Sequence, residues 1–194
     1  MTKGKNLGGT NFSTTDPKYK DLWATPQWVV DGLFEWFTLN GFIPKGLDKL
    51  DVCASEINAK CPYYIDAQMD TLKTEWGEEQ LCWLNPPYSN VKPFLEKAVS
   101  ETQHGNYTVA LLKADCSTKW FKYAVENATA VMYITSGRIG FIHAESGEAV
   151  GGNNFSSVAL LFSPHKQAIQ SIYVDKQDLI TLAEKSRNGK EFHD

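Results

Sequence analysis

The residues with the most chemical content are Asn85-Pro86-Pro87-Tyr88, placed directly after the apolar run Leu81-Cys82-Trp83-Leu84. Two consecutive prolines remove two backbone donors and fix two φ angles. The turn is therefore rigid and presents its carbonyls and the Asn85 side chain outward. The Asn85 side-chain oxygen and the neighbouring Pro86 carbonyl are a pair of acceptors, and an exocyclic amine carries two N–H donors that such a pair can hold. Tyr88 adds an aromatic face on which a base stacks. Together these groups describe a pocket for an amino group on a flat heterocycle. The plainer alternative is a stiff strand-to-helix turn with Tyr88 filling a surface groove.

Other chemistries lack their residues. The cysteines are Cys53, Cys61, Cys82 and Cys116, with no CxxC pair, so no metal site is expected. No Pro-Cys dipeptide supplies a thiol nucleophile, and Cys116 in Asp115-Cys116-Ser117 reads as structural. Three of the four lie beside apolar residues in strand-like runs, which predicts reduced thiols in a cytoplasmic protein. No apolar run approaches the roughly 18 residues of a membrane span, and the first sixteen residues contain no apolar stretch suited to a secretory signal.

The charge is 19 basic against 23 acidic residues, or −4. That is not the footprint of a bulk nucleic-acid binder. Positive charge is instead local: Lys3, Lys5, Lys18 and Lys20 oppose Asp16 alone, and Lys113, Lys119 and Lys122 oppose Asp115.

The elements that must position this chemistry follow from periodicity. Residues 1–20 lack it and are expected to form a flexible arm. Thr25-Pro26 suits an N-cap followed by a first helical residue, and Val29, Val30, Leu33, Phe34 and Phe37 then make one helical face. Asn40–Lys49 is a loop. Short strands are expected at Leu50–Ala54, Tyr63–Ile65, Leu81–Leu84, Tyr107–Leu112, Ala130–Ile134 and Ser156–Phe162. Val91, Phe94, Leu95, Ala98 and Val99 mark an amphipathic helix; Trp120, Phe121, Ala124 and Val125 mark another, and Asp175–Lys185 a short terminal one. The alternation predicts one α/β domain over 21–165, with a mostly parallel twisted sheet, helices on both faces and a C-terminal antiparallel hairpin. Residues 166–194 are expected as a tail with a short helix. Ligands of such sheets bind at strand carboxyl ends near a topological switch point.

The ordered set Asp21-Leu22-Trp23-Ala24-Thr25-Pro26, Leu50-Asp51-Val52-Cys53-Ala54-Ser55, Asn58-Ala59-Lys60-Cys61 and Trp83-Leu84-Asn85-Pro86-Pro87-Tyr88-Ser89 resembles the phage-type DNA adenine-N6 methyltransferases, from about residue 20 to about 162. The resemblance implies a class I methyltransferase-like fold and S-adenosylmethionine as methyl donor. Trp23, Thr25 and Pro26 resemble the N-terminal motif that lies against the cofactor, and Asp51, Cys53 and Ala54 the first cofactor motif. Cys53-Ala54-Ser55 replaces the glycine-rich turn common at that place. Asp66 and Asp70 are the candidate acids for the ribose and adenine of the cofactor, with Asn85 beside them.

The resemblance implies methylation of the exocyclic N6 amine of adenine in double-stranded DNA, by direct transfer to a flipped-out base. Asn85, Pro86, Pro87 and Tyr88 are then catalytic. Tyr88 is expected to stack on the adenine and Phe141 to form the opposite wall, with Arg138, Lys18 and Lys20 on the DNA. A monomer acting in a bacterial host cell is the expected form. The residues alone leave open an amino-group methyltransferase acting on RNA or protein glutamine, and a non-catalytic cofactor-binding module.

Overall fold

The computed structural model describes residues 23–143, 146–148, 155–165 and 168–189. Lys18, Lys20 and the rest of the expected arm lie outside the described residues. In chain order the elements are β1 (Trp23–Ala24), α1 (Gln27–Leu39), β2 (Lys49–Asp51), β3 (Tyr63–Tyr64), β4 (Leu81–Leu84), α2 (Lys92–Glu101), β5 (Tyr107–Lys113), α3 (Lys119–Asn127), β6 (Ala130–Thr135), β7 (Ile142–His143), β8 (Ser157–Phe162), β9 (Gln170–Asp175) and α4 (Lys176–Asn188).

Seven strands form one sheet in the order β3-β2-β4-β5-β8-β6-β9. Neighbours are parallel except at β8, which runs antiparallel to both β5 and β6. The expected α/β class, the mixed sheet and the antiparallel return of Ser156–Phe162 are all present. Both faces are apolar because side chains alternate along each strand. Leu81 and Trp83 of β4 join Val109 and Leu111 of β5 under α1 and α4, where Val29, Leu33, Phe34, Phe37 and Leu179 cover them. Cys82 and Leu84 join Ala110 and Leu112 on the other face, under Leu95 and Ala98 of α2 and Phe121 and Ala124 of α3. A strand buried on both sides reads as a continuous apolar run, which is why β4, β5 and β8 were visible in the sequence.

Polar side chains set where β4 and β5 begin. Asn106, fully buried, accepts from the Gln80 amide at 2.8 Å and donates to the Gly77 carbonyl and to Glu101. Glu101 is closed off by Lys97 at 2.6 Å. Each of these buried groups has a partner, which offsets the desolvation of burying them.

Three features differ from expectation. Thr25 is not an N-cap: Pro26 occupies that position, without a side-chain cap bond, because the Thr25 hydroxyl is engaged across the molecule instead. β1 pairs antiparallel with β7, Trp23 with His143 and Ala24 with Ile142, a two-residue ladder too short to leave a periodic signal. The segment expected as a tail after residue 165 carries the expected terminal helix, α4, whose N-cap Asp175 accepts from the Gln177 amide, but it also supplies β9, an unexpected strand parallel to β6. β9 is an edge strand with only Val174 buried, so it shows almost no apolar alternation. Among the described residues no helix is long and apolar enough to cross a membrane.

The α1–α4 packing requires a close backbone approach at Gly32. A Cβ there would stand 2.4 Å from the Leu179 carbonyl oxygen. Gly32→Ala gains about 1 kcal/mol of helix propensity but must push α4 away, an overpacking cost of about 1–3 kcal/mol. Urea unfolding should therefore show a net loss of stability; a more stable variant would show that α4 does not seat as described.

Candidate active site

Loops leaving the carboxyl end of β2 run toward β3, while those leaving β4 run through α2 toward β5. Between them lies the topological switch point, the place where open sheets of this kind form a crevice. Asn85 stands there, one residue beyond β4. Its Nδ2 donates to Thr25 Oγ1 at 3.1 Å, although the two residues lie 60 positions apart, and Tyr88 Oη donates to its Oδ1 at 3.2 Å. Thr25 is buried. The β1–β7 ladder ends there too, since Thr25 follows β1 and Phe141 precedes β7.

In this arrangement the amide nitrogen faces Thr25 and the oxygen faces the turn. A carbonyl oxygen has two lone pairs, and Tyr88 uses one. Pro86 is buried and Pro87 exposed, which keeps the turn wedged between core and solvent. Burial pushes the Tyr88 phenol up, so it remains a protonated donor at neutral pH.

On β2, Asp51 pairs in register with Trp83 of β4 and is 3% exposed. Its carboxylate accepts from the Cys53 amide at 3.2 Å and the Lys60 amide at 2.9 Å. Burial nevertheless raises it from 3.8 to about 6, against those two bonds. The Ala54 amide donates to the Ile65 carbonyl, which ties the loop after β2 to the end of β3. Gln27 on α1 donates to the Lys60 carbonyl at 3.0 Å, holding the same loop from the other side. Burial lifts the Cys53 thiol to about 11 and the Cys61 and Cys82 thiols higher still, so these three are not nucleophiles at neutral pH.

Asp66 follows β3 and accepts from the Gln68 and Met69 amides at 2.9 Å each, a turn of its own making. Asp70 has left-handed backbone, φ 56°, and pairs with Lys73 at 2.6 Å. Arg138 is exposed, and its carbonyl lies 3.5 Å from the Lys176 ammonium. Phe141 packs against the cluster under α1 and α4, whereas Tyr88 packs against the one under α2 and α3. The two rings thus pack on opposite faces of the sheet.

The structure brings two further residues to Tyr88. Lys113, the last residue of β5, holds its ammonium 4.6 Å from the Tyr88 ring centroid and 4.0 Å from that of Phe155. Phe155 reaches this place because β8 pairs antiparallel with β5, Lys113 opposite Ser157. In the sequence Lys113 stands out only as one of a local group of lysines, and Phe155 is brought beside it by the pairing of β8 with β5.

A family model described as DNA N-6-adenine-methyltransferase (Dam) matches residues 12–188. The DNA N-6-adenine-methyltransferase of Haemophilus phage HP1 (strain HP1c1) is 39% identical over 170 residues, covering 86% of this chain and 94% of that protein. The protein of the same description from Escherichia phage T1 is 35% identical over 178 residues, covering 84% of this chain and 70% of that one.

Asp51 makes stability depend on pH in a definite sense. A carboxyl raised to about 6 keeps its proton in the folded protein where the unfolded chain has released it. Its contribution is therefore best below about pH 4 and is lost as pH rises through 6. Relative to Asp51→Asn, the wild-type protein should lose up to roughly 3 kcal/mol between pH 4 and 7, read by urea titration at each pH. A difference that stays flat across that range would mean an ordinary carboxyl at this position.

Proposed function

The chain belongs to the DNA N-6-adenine-methyltransferase (Dam) family, and on that premise we propose roles for its residues in methylating adenine N6. An acceptor pair for an amine does not by itself choose among DNA, RNA and protein glutamine; family membership chooses DNA. The observation that carries the assignment of roles is the fixed Asn85 amide, with Nδ2 on Thr25 and Oδ1 presented beside Pro86.

The residues fit S-adenosylmethionine by the chemistry of the crevice. A nearly buried carboxylate, Asp51, stands at the end of one strand and a neutral acceptor, Asn85, at the end of the next. Trp23, Thr25, Pro26, Asp51, Cys53 and Ala54 would hold the cofactor, with Asp66 and Asp70 from the loop after β3. S-adenosylmethionine supplies a methyl group already activated by its sulfonium. The chain's own task is then alignment. No thiol or hydroxyl nucleophile is required.

In duplex DNA the target amine is paired and stacked, so it must be flipped out at a few kcal/mol. Asn85 Oδ1 and the Pro86 carbonyl accept the two N6 hydrogens. The amine lone pair is thereby drawn out of conjugation with the ring, and charge developing on nitrogen is met by fixed dipoles. Asn85 is neutral and takes no proton, so the proton leaves to solvent. Tyr88 stacks on the base while its hydroxyl stays on the other lone pair of Oδ1.

Asn85→Ala removes the acceptor and should lower single-turnover methylation by on the order of 10²–10³, by analogy with deleting one oxyanion-hole donor. The assay is transfer of labelled methyl from S-adenosylmethionine to unmethylated duplex DNA, with nuclease digestion to identify N6-methyladenine. Wild-type turnover by the variant would refute the role given to Asn85.

A further inference from the structure

Gln27, the first residue of α1, sits between two acceptors. Its Nε2 donates to the Asp31 carboxylate at 2.9 Å and to the Lys60 carbonyl at 3.0 Å. A carboxylate and a backbone carbonyl only accept, so the amide nitrogen is the end that faces them, and both its hydrogens are used. Asp31 is braced in turn. Arg187, in the last turn of α4, brings Nε and Nη2 to Asp31 Oδ2 at 2.9 Å each, while Oδ1 takes Gln27. Lys60 is thereby held on both sides, its carbonyl by Gln27 and its amide by Asp51 Oδ2 at 2.9 Å. A run of hydrogen bonds through the Lys60 backbone joins the end of α4 to the buried carboxyl of β2.

Resting on the reading of Asp51 as a cofactor contact, we infer that Gln27 is a positioning residue for the methyl donor and that the Arg187–Asp31 pair is its brace, so that the last turn of α4 sets cofactor affinity. Asp51 has two backbone donors, Cys53 and Lys60, and both lie on the loop that Gln27 ties to α1. Without that tie the Lys60 amide is free to leave, and the Asp51 carboxyl loses its fixed direction. The part of the ion pair is preorganisation. A glutamine side chain has several rotors to freeze, and one already anchored on Asp31 loses less freedom when the cofactor arrives. Arg187 is half exposed, so the pair itself adds little to folding stability. Thr25, Pro26 and Gln27 are consecutive. One short segment therefore holds Asn85 through Thr25 and the Asp51 loop through Gln27, which relates the site of the methyl donor to that of the acceptor.

The test uses the full chain and S-adenosylmethionine, with binding read by calorimetry, folding by urea titration, and exchange of the Lys60 amide hydrogen measured without cofactor. Gln27→Met keeps the shape of the side chain and removes the donor. It should raise the dissociation constant roughly 2- to 12-fold, the span of one hydrogen bond, and speed Lys60 exchange. In turnover the KM for cofactor should rise while kcat at saturating cofactor stays within about twofold, because Thr25 and Asn85 are untouched. Gln27→Lys, which returns a donor, should recover most of the lost affinity. Arg187→Ala should weaken binding in the same direction with an unchanged urea midpoint, and its effect should vanish in the Gln27→Met background, since it passes through Gln27. Wild-type affinity and wild-type Lys60 exchange in Gln27→Met overturn the positioning role. An Arg187→Ala effect that persists in that background overturns the brace. A wild-type chain that binds no S-adenosylmethionine removes the reading of Asp51 itself, an outcome distinct from either.

Discussion

The hydrogen bond from Asn85 Nδ2 to Thr25 Oγ1 is the constraint on which the site depends. An asparagine amide free to rotate presents a donor as readily as an acceptor, and a donor in front of an amine repels it. In the structure Thr25 accepts from the nitrogen, which leaves the oxygen facing the turn. It can do so because β1 is clamped to β7 and because α1 begins directly after it and is buried along Val29, Val30, Leu33 and Phe37. A side-chain contact thus rests on a whole layer of the fold. The rigid turn made by Pro86 and Pro87 does the same from the other side, since neither residue can relax its φ.

The sheet supplies the second part of the arrangement. Asp51 and Asn85 emerge from adjacent parallel strands at the point where the chain departs in opposite directions. Pairing of β4 with β2 and with β5 places Asp51, Asn85 and Lys113 along one edge, in that order, each at a strand's carboxyl end. β8 then carries Phe155 to the same edge from the opposite chain direction. Four strands of different sequence position converge on a single rim, with no separate domain needed to assemble it.

Much of this was legible in the sequence, for physical reasons that also explain what was not. β4, β5 and β8 are buried on both faces, and α2 on one, so their apolar patterns are strong; Asn85-Pro86-Pro87-Tyr88 is informative because its stiffness is local. Thr25 misleads because Thr-Pro is also a local helix-start signal, while its actual partner lies 60 residues away. β9 escapes because an edge strand with only Val174 buried lacks alternation. The pairing of Lys113 with Tyr88 and Phe155 depends on strand registry alone, and nothing near Phe155 in the chain announces it.

The neutrality of Asn85 follows from its neighbour. Asp51 is already so poorly solvated that its carboxyl sits near 6, and it lies in register with Trp83, two residues before Asn85. A carboxylate at position 85 would add a second negative charge at the end of the strand next to Asp51, and like charges in one site favour the protonated form of one of them. A protonated acid at position 85 would point an O–H donor at an amine that needs acceptors. An amide cannot titrate, so it stays an acceptor whatever the state of Asp51. The buried acid and the neutral acceptor are therefore complementary: Asp51 brings the buried carboxyl to the end of β2, and Asn85, just beyond the end of β4, brings a dipole instead of a charge.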